Sequence, residues 1–301
     1  RRSSDLTVGF DMTNATLSGS AAGALGRGNK VYGNNAYAIG SENTVGSATV
    51  TETTESNGDK IKKVTAGTVK GNKAGAFGYK NTITTDNSYV VGSNSTISAD
   101  NGMVLGNSAT VTGANGLALG NNTKVANDNA VAIGNGSKAL KQGSSALGTN
   151  ATTNSSHSTA LGWGSTTNGY ADIAAGDGSV ASGGNSLAIG VQSSTSTGAV
   201  GAVALGLSSK AEQTNSMALG VSANAAHERS VALGANSKTD ATVSTPNQLV
   251  NGLWYKNYAG GSADSTISVG SDTVKRTITN VAAGRVNAQS TDAINGSQLY
   301  G

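Results

Sequence analysis

His157 and His227 are the first residues to test for chemistry, because an imidazole can act as a general base or a metal ligand near neutral pH. They lie 70 positions apart in a chain of 301 residues that contains no cysteine. That spacing offers no local triad or zinc site, and thiolate chemistry and disulfides are excluded. Asp177 is isolated and belongs to no calcium-loop pattern. Gly26-Arg27-Gly28 and Gly134-Asn135-Gly136 look like pieces of phosphate loops, but neither follows a long strand and opens a helix. An enzyme needs a cleft with clustered titratable groups. None is legible, so the chain is expected to be non-catalytic, with no metal site and no cofactor. One set of charged residues does share a spacing: Lys30, Lys124, Lys138, Lys210 and Lys238. Two readings are open for them, solubility and protection of exposed strands, or attraction to an anionic matrix or polysaccharide. A net charge of +3 over the whole chain argues against a nucleic-acid partner.

The elements that carry these residues follow from a repeat. An apolar residue, Ala, an aliphatic residue and Gly recur with glycines at Gly26, Gly40, Gly78, Gly92, Gly106, Gly120, Gly134, Gly148, Gly162, Gly176, Gly190, Gly206, Gly220 and Gly234. From Gly78 to Gly190 every interval is 14; Gly190 to Gly206 is 16, and Gly40 to Gly78 is 38, or 14 plus 24. Before the glycine, large and small residues alternate, the period of a short strand. Four after it the residue is usually Thr or Lys, and five after it Val31, Val45, Ile83, Ile97, Val111, Val125 or Ala139, which reads as a second strand. Five before it stands Asn35, Asn87, Asn101, Asn115, Asn129, Asn185 or Asn215, a residue that tolerates the left-handed backbone of a tight corner. Two strands and two corners per 14 residues predict one turn of a parallel β-solenoid. This also explains a composition of 43 glycines and only two phenylalanines, which cannot fill a conventional core.

Such a turn has room inside for Ala, Gly and one Val or Ile. The ladder Ile39, Phe77, Val91, Leu105, Leu119, Ile133, Leu147, Leu161, Ile189, Leu205, Leu219 and Leu233 then forms a continuous apolar stripe. Monomers rarely expose such a patch. The expectation is burial against other copies of the chain, this ladder being the trimer or roll core, in a parallel cyclic assembly.

Four segments are expected. Residues 1–20 form a cap or leader strand, and residues 21–240 the repeats, with a β-hairpin inserted at 47–70 around Asn57-Gly58-Asp59. Residues 241–266 form an insert that carries Trp254, Tyr255 and Tyr258, read as a packing cap on the open end. Residues 267–301 follow, with a helix start expected at Ser290-Thr291-Asp292. The repeat is expected to stop after Gly234. No apolar run reaches the length of a membrane helix. The opening Arg1-Arg2-Ser3 suggests that a leader is absent or removed, and the chain reads as a fragment.

Asn129-Ala130-Val131-Ala132-Ile133-Gly134, Asn185-Ser186-Leu187-Ala188-Ile189-Gly190 and Ser230-Val231-Ala232-Leu233-Gly234 resemble the head repeat of trimeric autotransporter adhesins, the YadA-like family. The stretch from Arg276 to Gly284, with Thr291 to Leu299, resembles that family's neck, and Asn280, Asp292, Asn295, Gly296 and Gln298 fall on its pattern. The resemblance covers 21–46, 71–240 and about 267–301. It implies a left-handed parallel β-roll, a homotrimer, a neck leading to a coiled-coil stalk, and a membrane β-barrel anchor in the Gram-negative outer membrane. It further implies a surface adhesin that binds host extracellular matrix or cell-surface receptors and self-associates in autoagglutination and biofilm. Two alternatives stay open: a purely structural trimeric fibre or tail spike, and an ice-binding solenoid with a Thr array at Thr82/Thr84, Thr96/Ser98 and Thr110/Thr112, broken at Lys124 and Ala126.

Overall fold

The structure, a computed structural model, describes residues 16–54, 60–64 and 69–300. Its regular elements are short strands, most of them in parallel ladders, and Gly296–Tyr300 is the one helix among the described residues. The contacts divide the chain into two units, 1–181 and 182–301.

In the first unit each turn contributes one long-face strand and one short-face strand. The long-face strands run from Gly23–Leu25 through Tyr37–Ser41 and Gly75–Tyr79 to Ile173–Ala175. The short-face strands run from Thr16–Leu17 through Thr44–Val45 and Thr82–Ile83 to Val180–Ala181. Each pairs in parallel with its equivalent 14 residues on, as in Val131↔Ser145 and Lys124↔Lys138. The register survives the insertion, because Ile39 pairs Phe77 and Val45 pairs Ile83 across it. The insertion itself is an antiparallel hairpin, Val50–Thr54 with Lys60–Val64, closed at its base by a Ser47↔Lys70 bridge. Its expected Asn57-Gly58-Asp59 turn lies outside the described residues.

The second unit repeats this plan with long-face strands Leu187–Ile189, Val203–Leu205, Met217–Leu219 and Val231–Leu233, and short-face strands Ser194–Thr195, Lys210–Ala211 and Asn224–Ala225. The extra two residues before Gly206 fit in the corner at 198–201, where the Val200 N–H donates to Gly198 O at 2.9 Å.

Backbone sterics set both corners of a turn. All seven asparagines five before the glycine have φ between 51° and 60°. The repeat glycines have φ between 103° and 155°. Any side chain there would run into the next turn: a Cβ on Gly120 would lie 2.8 Å from Gly134 O.

The interior is thin. Ala38, Ala76, Ala118 and Ala132 face Val31, Val45, Ile83, Ile97, Val111 and Val125, all fully buried. Farther along, threonine replaces the aliphatic residue and pairs with a serine from the opposite wall. Thr153 Oγ1 lies 2.9 Å from Ser144 Oγ, Thr167 Oγ1 lies 2.8 Å from Ser158 Oγ, and Thr195 Oγ1 lies 2.7 Å from Ser186 Oγ. A hydroxyl buried in so narrow a space needs such a partner.

Four boundaries differ from the sequence expectation. Thr16–Leu17 already pairs with Lys30–Val31 at a spacing of 14, so the repeat begins before residue 21. It also outlasts Gly234: Val231 pairs Ile267 and Ala232 pairs Ser268, 36 residues on. Ser268 in place of Ala hides that copy in the sequence. The aromatic insert is no packing cap. Asn247–Val250 and Leu253–Lys256 form an antiparallel hairpin with every residue exposed. The helix begins at Gly296, not at Ser290-Thr291-Asp292. Ser290 Oγ accepts only the Asp292 N–H, whereas Asn295 Oδ1 accepts the Gln298 N–H and the Ser297 hydroxyl and so caps the first turn.

Candidate interaction surfaces

The long face presents its side chains alternately inward and outward. Its alanines go in, and its large residues come out. Leu105, Leu161 and Leu233 are 47%, 50% and 46% exposed, and Ile39, Phe77, Val91, Leu119 and Leu205 are likewise exposed. Ile133, Leu147, Ile189 and Leu219 are half-buried. The ladder is therefore an outer surface and not the interior of the roll, whose core is the Ala and Val/Ile set. A second outer column, three before the glycine, adds Tyr37, Tyr89, Met103, Ile173 and Met217. A third, just after the glycine, adds Val191, Leu207 and Val221 in the second unit and Trp163 in the first. The sequence reading missed this third column; apolar residues directly after the glycine were its signal. Tyr37 and Tyr89 lie flat, each over a glycine of the turn before it: a Cβ on Gly23 would meet Tyr37 Cδ1 at 2.9 Å, and one on Gly75 would meet Tyr89 Cδ1 at 3.2 Å.

The lysines share a face but do not form a continuous row. All five are exposed on the short face. Between Lys30 and Lys124 stand Thr44, Thr82, Thr96 and Thr110. Only Lys124 and Lys138 are neighbours in the ladder. In the second unit Asn224 separates Lys210 from Lys238. Lys30 lines an open groove of about 540 Å³ with Glu42, Thr44, Lys80, Thr82 and Asn94, in which Lys80 Nζ lies 3.5 Å from a Glu42 carboxylate oxygen. The threonine column includes Thr44, is interrupted by Lys124 and Lys138, and resumes at Thr152 and Thr166.

Each histidine has its own local surroundings. His157 sits in a left-handed corner with its ring edge-on to Tyr170, centroids 5.4 Å apart, and His227 Nδ1 lies 3.1 Å from Thr239 Oγ1. Among the described residues no three His, Asp or Glu side chains lie close enough together to share a metal ion.

Three further polar arrangements had no sequence signal. The first is a buried amide ladder three residues after the glycine. Asn43 Nδ2 donates to Asn29 Oδ1 at 3.0 Å and Asn81 Nδ2 to Asn43 Oδ1 at 3.0 Å, and the Ser95 N–H donates to Asn81 Oδ1 at 3.1 Å. The second is a corner ladder, where Asp86 Oδ1 accepts the N–H groups of Gly71 and Asn72. Burial pushes the Asp86 carboxyl up, but the hydrogen bonds from Asn72 and Gly71 and the charge of Lys70 outweigh it and leave the group below the ordinary carboxylate range. The third is Arg276, whose guanidinium closes the end of the glycine ladder. It donates to Val269 O at 2.6 Å, Ala235 O at 2.5 Å and Ser237 Oγ at 3.2 Å, and lies where a further turn would cover Gly234.

The C-terminal segment is pinned across its own loop. Gln298 donates through Nε2 to Gly284 O at 2.6 Å and accepts the Gly284 N–H at 2.8 Å, while Asn295 Nδ2 donates to Val281 O. Two hydrogen bonds from the Arg285 guanidinium hold the Asp292 carboxyl below its usual range. Asn280 takes a left-handed turn at φ 61° and Gly296 opens the helix. Ile278, Val286, Ile294 and Leu299 stay exposed. No helix among the described residues is long and apolar enough to cross a membrane.

Comparison with known proteins bears on these surfaces. The family described as the YadA head domain repeat matches residues 98–123, 112–137, 126–151, 139–165, 168–193, 198–220 and 211–237. The family described as the coiled stalk of trimeric autotransporter adhesin matches 277–301. The chain is similar to the autotransporter adhesin BtaE of Brucella suis biovar 1 (strain 1330), with 52% identity over 65 residues, which is 22% of this chain and 9% of that protein. Among solved structures, the collagen-binding domain of the Yersinia adhesin YadA aligns with a TM-score of 0.45 and 30% identity, over 60% of this chain and 83% of that one. The C-terminal YadA-like domain of a Burkholderia pseudomallei protein aligns with a TM-score of 0.24 and 37% identity, over 40% of this chain and 42% of that one.

Proposed function

Because this chain belongs to the YadA-like trimeric autotransporter adhesins, we propose that it is the head and neck of a non-catalytic bacterial surface adhesin, built as a parallel homotrimer. In this reading the protein is held at the outer membrane by a more C-terminal region, and the head meets host matrix proteins, host cell surfaces or heads on other cells. The observation that carries the reading is the apolar stripe on the long face. It runs parallel to the stacking direction, so copies related by rotation about that direction bury it along each unit. The short face, with its polar and charged side chains, is then left to solvent and to ligands. A surface of this kind makes broad, shallow contacts spread over several turns, in keeping with an adhesin and not an enzyme.

Two measurements test it. Sedimentation velocity is expected to give a trimer at micromolar concentration, and Leu105→Asp, which places a charge in the middle of the stripe, is expected to shift it to monomer with the strand signal of the fold retained. A well-folded monomer of the unsubstituted chain would refute the assembly. Solid-phase binding to collagens, fibronectin, laminin and intact cells tests adhesion, and absence of binding across that panel would refute the matrix and cell reading. Replacing Lys30, Lys124, Lys138, Lys210 and Lys238 with Gln separates a lysine-dependent anionic ligand from one read elsewhere on the face.

A further inference from the structure

The chain holds seven Asn-Gly pairs. Each is a latent reaction site, because the glycine nitrogen has no Cβ beside it to hinder attack on the asparagine side-chain amide. The attack needs an asparagine side chain that can turn onto the next peptide, and a peptide that can rotate to meet it. The pair at Asn57 lies outside the described residues. The fold restrains five of the other six. Asn101 Nδ2 donates to Asn115 Oδ1 and Asn115 Nδ2 to Asn129 Oδ1, each at 3.0 Å, and the glycine after each of the two is buried. The Asn135-Gly136 peptide is bonded at both ends: its N–H donates to Asn121 O and its C=O accepts the Asn150 N–H, each at 2.8 Å. After Asn168, the Gly169 N–H donates to Asp172 Oδ2 at 2.7 Å. Asn295 Oδ1 accepts the Gln298 N–H and the Ser297 hydroxyl, while its Nδ2 donates to Val281 O at 3.0 Å.

Asn251 carries no such restraint. With Gly252 it forms the exposed tip between Asn247–Val250 and Leu253–Lys256, at φ of 49° and 84°. Among the described residues its side chain has no hydrogen-bond partner. Nothing lies within 4 Å of where a Cβ on Gly252 would stand. An isolated two-stranded hairpin is marginal in water, so its tip opens at far lower cost than a stacked turn. We propose that Asn251-Gly252 is a site of spontaneous deamidation, the pair that the fold leaves reactive among the six described. The Gly252 nitrogen gives its proton to solvent and bonds to Asn251 Cγ. The Cγ–Nδ2 bond breaks, ammonia leaves and a succinimide remains. Water adds to either succinimide carbonyl and breaks that carbon's bond to nitrogen, which yields aspartate or isoaspartate. One water enters and one ammonia departs, with no oxidant or reductant. Either product puts a carboxylate between Val250 and Leu253. Isoaspartate also lengthens the backbone inside a two-residue loop, whose length sets the hairpin's turn type.

The test follows all six pairs in one sample. The folded chain is held at mildly alkaline pH in heavy-oxygen water, then digested in ordinary water and mapped by mass spectrometry. Only conversion during the incubation then carries the label. A parallel sample is held in urea at the same pH. The expected result is that Asn251 converts several-fold faster than Asn101, Asn115, Asn135, Asn168 and Asn295 in the folded chain, to both aspartate and isoaspartate, and that the six rates draw together in urea. Conversion of Asn251 no faster than the other five in the folded chain overturns the proposal. A spread of rates that persists in urea overturns it too, because the selectivity then belongs to neighbouring sequence and not to the fold.

Discussion

Substituting Gly120 with alanine tests whether the repeat glycine is required by stacking. Gly120 has φ of +132°, a region closed to L side chains, and the added methyl would sit 2.8 Å from Gly134 O and 2.9 Å from Gly134 C. The backbone strain costs about 1–3 kcal/mol. Forcing the next turn away by roughly half an ångström costs about 1–3 kcal/mol more, the range for overpacking. The stiffer unfolded chain returns about 0.4–1 kcal/mol. The expected loss is therefore about 2–5 kcal/mol. Gly164 is the control: its φ is +61° and nothing lies within 4 Å of the added Cβ. Gly164→Ala should lose about 1 kcal/mol from left-handed strain alone. Gly164→Asn should lose nothing measurable, since Asn122, Asn150 and Asn236 hold that same corner two residues after the repeat glycine. Thermal melting followed by far-UV circular dichroism, at equal concentration and with assembly checked, reads the three variants. Gly120→Ala should melt about 5–15 °C below the unsubstituted chain. Melting of Gly120→Ala together with Gly164→Ala would refute the stacking argument, because only at Gly120 does the methyl meet the next turn in addition to the positive-φ strain.

Three further outcomes follow from the polar arrangements. Asn81→Ala removes a buried amide that serves Asn43, Gly92 and Ser95. It should cost about 2–4 kcal/mol in the same melt, because each buried partner left unpaired loses its hydrogen bond without regaining water. Asp86 has a depressed folded pKa, so its contribution is complete above the unfolded value near 3.8 and is lost as the pH falls through the lower folded value. The share of the melting temperature that Asp86→Asn removes should be constant from pH 7 to pH 5 and shrink below about pH 4; a change centred near pH 6 would contradict the assignment. Arg276→Ala should speed amide exchange in the last turn, around Gly234 to Ser237, and Arg276→Lys should not restore it, because an ammonium cannot span Val269 O, Ala235 O and Ser237 Oγ as a planar guanidinium does.

The parts of the fold that were legible in the sequence are those that sterics repeat in every turn. The Ala, large residue and Gly alternation marks a strand whose one side has no room, and the asparagines at Asn35, Asn87 and Asn101 mark a corner that only a few residues can adopt. Residues whose partners are fixed by stacking, not by type, were not legible. Position three after the glycine holds Asn29, Asn43 and Asn81, then Ser95 and Ala109, and looks like an ordinary polar corner until the stacked turns place these side chains inside. Arg276 carries no local signal at all, since two of its acceptors are residues 235 and 237. The Asn251-Gly252 turn between Leu249-Val250 and Leu253-Trp254 was readable as a hairpin, but the aromatic residues suggested a packed cap instead. The lysines share a phase with the threonines that separate Lys30 from Lys124, so their discontinuity was legible in the sequence as well.

A repeat this regular also has to avoid slipping. Moving one segment by 14 residues keeps every glycine on a glycine and nearly every alanine on an alanine, so the common pattern alone gives little preference for one register. The irregular positions supply it. A slip by one turn takes Asn81 away from Asn43 and from Ser95, and a buried polar group that loses its partner is costly. It also displaces Gly46 from the hairpin base at Ser47 and Lys70, and Gly234 from the Arg276 guanidinium. Buried polar groups add little net stability when satisfied and cost heavily when not, and that asymmetry suits them to fixing register while Ala, Val and Ile supply the burial. The same division leaves the outward positions free. Residues one, four and six after the glycine lie mostly outside the core, and the side-chain contacts they make with the next turn, as in Ser93 with Asn107 and Asn154 with Asn168, change from turn to turn. They are therefore where this chain can carry tyrosine, tryptophan, lysine or threonine without changing the fold, and where a binding surface can be built.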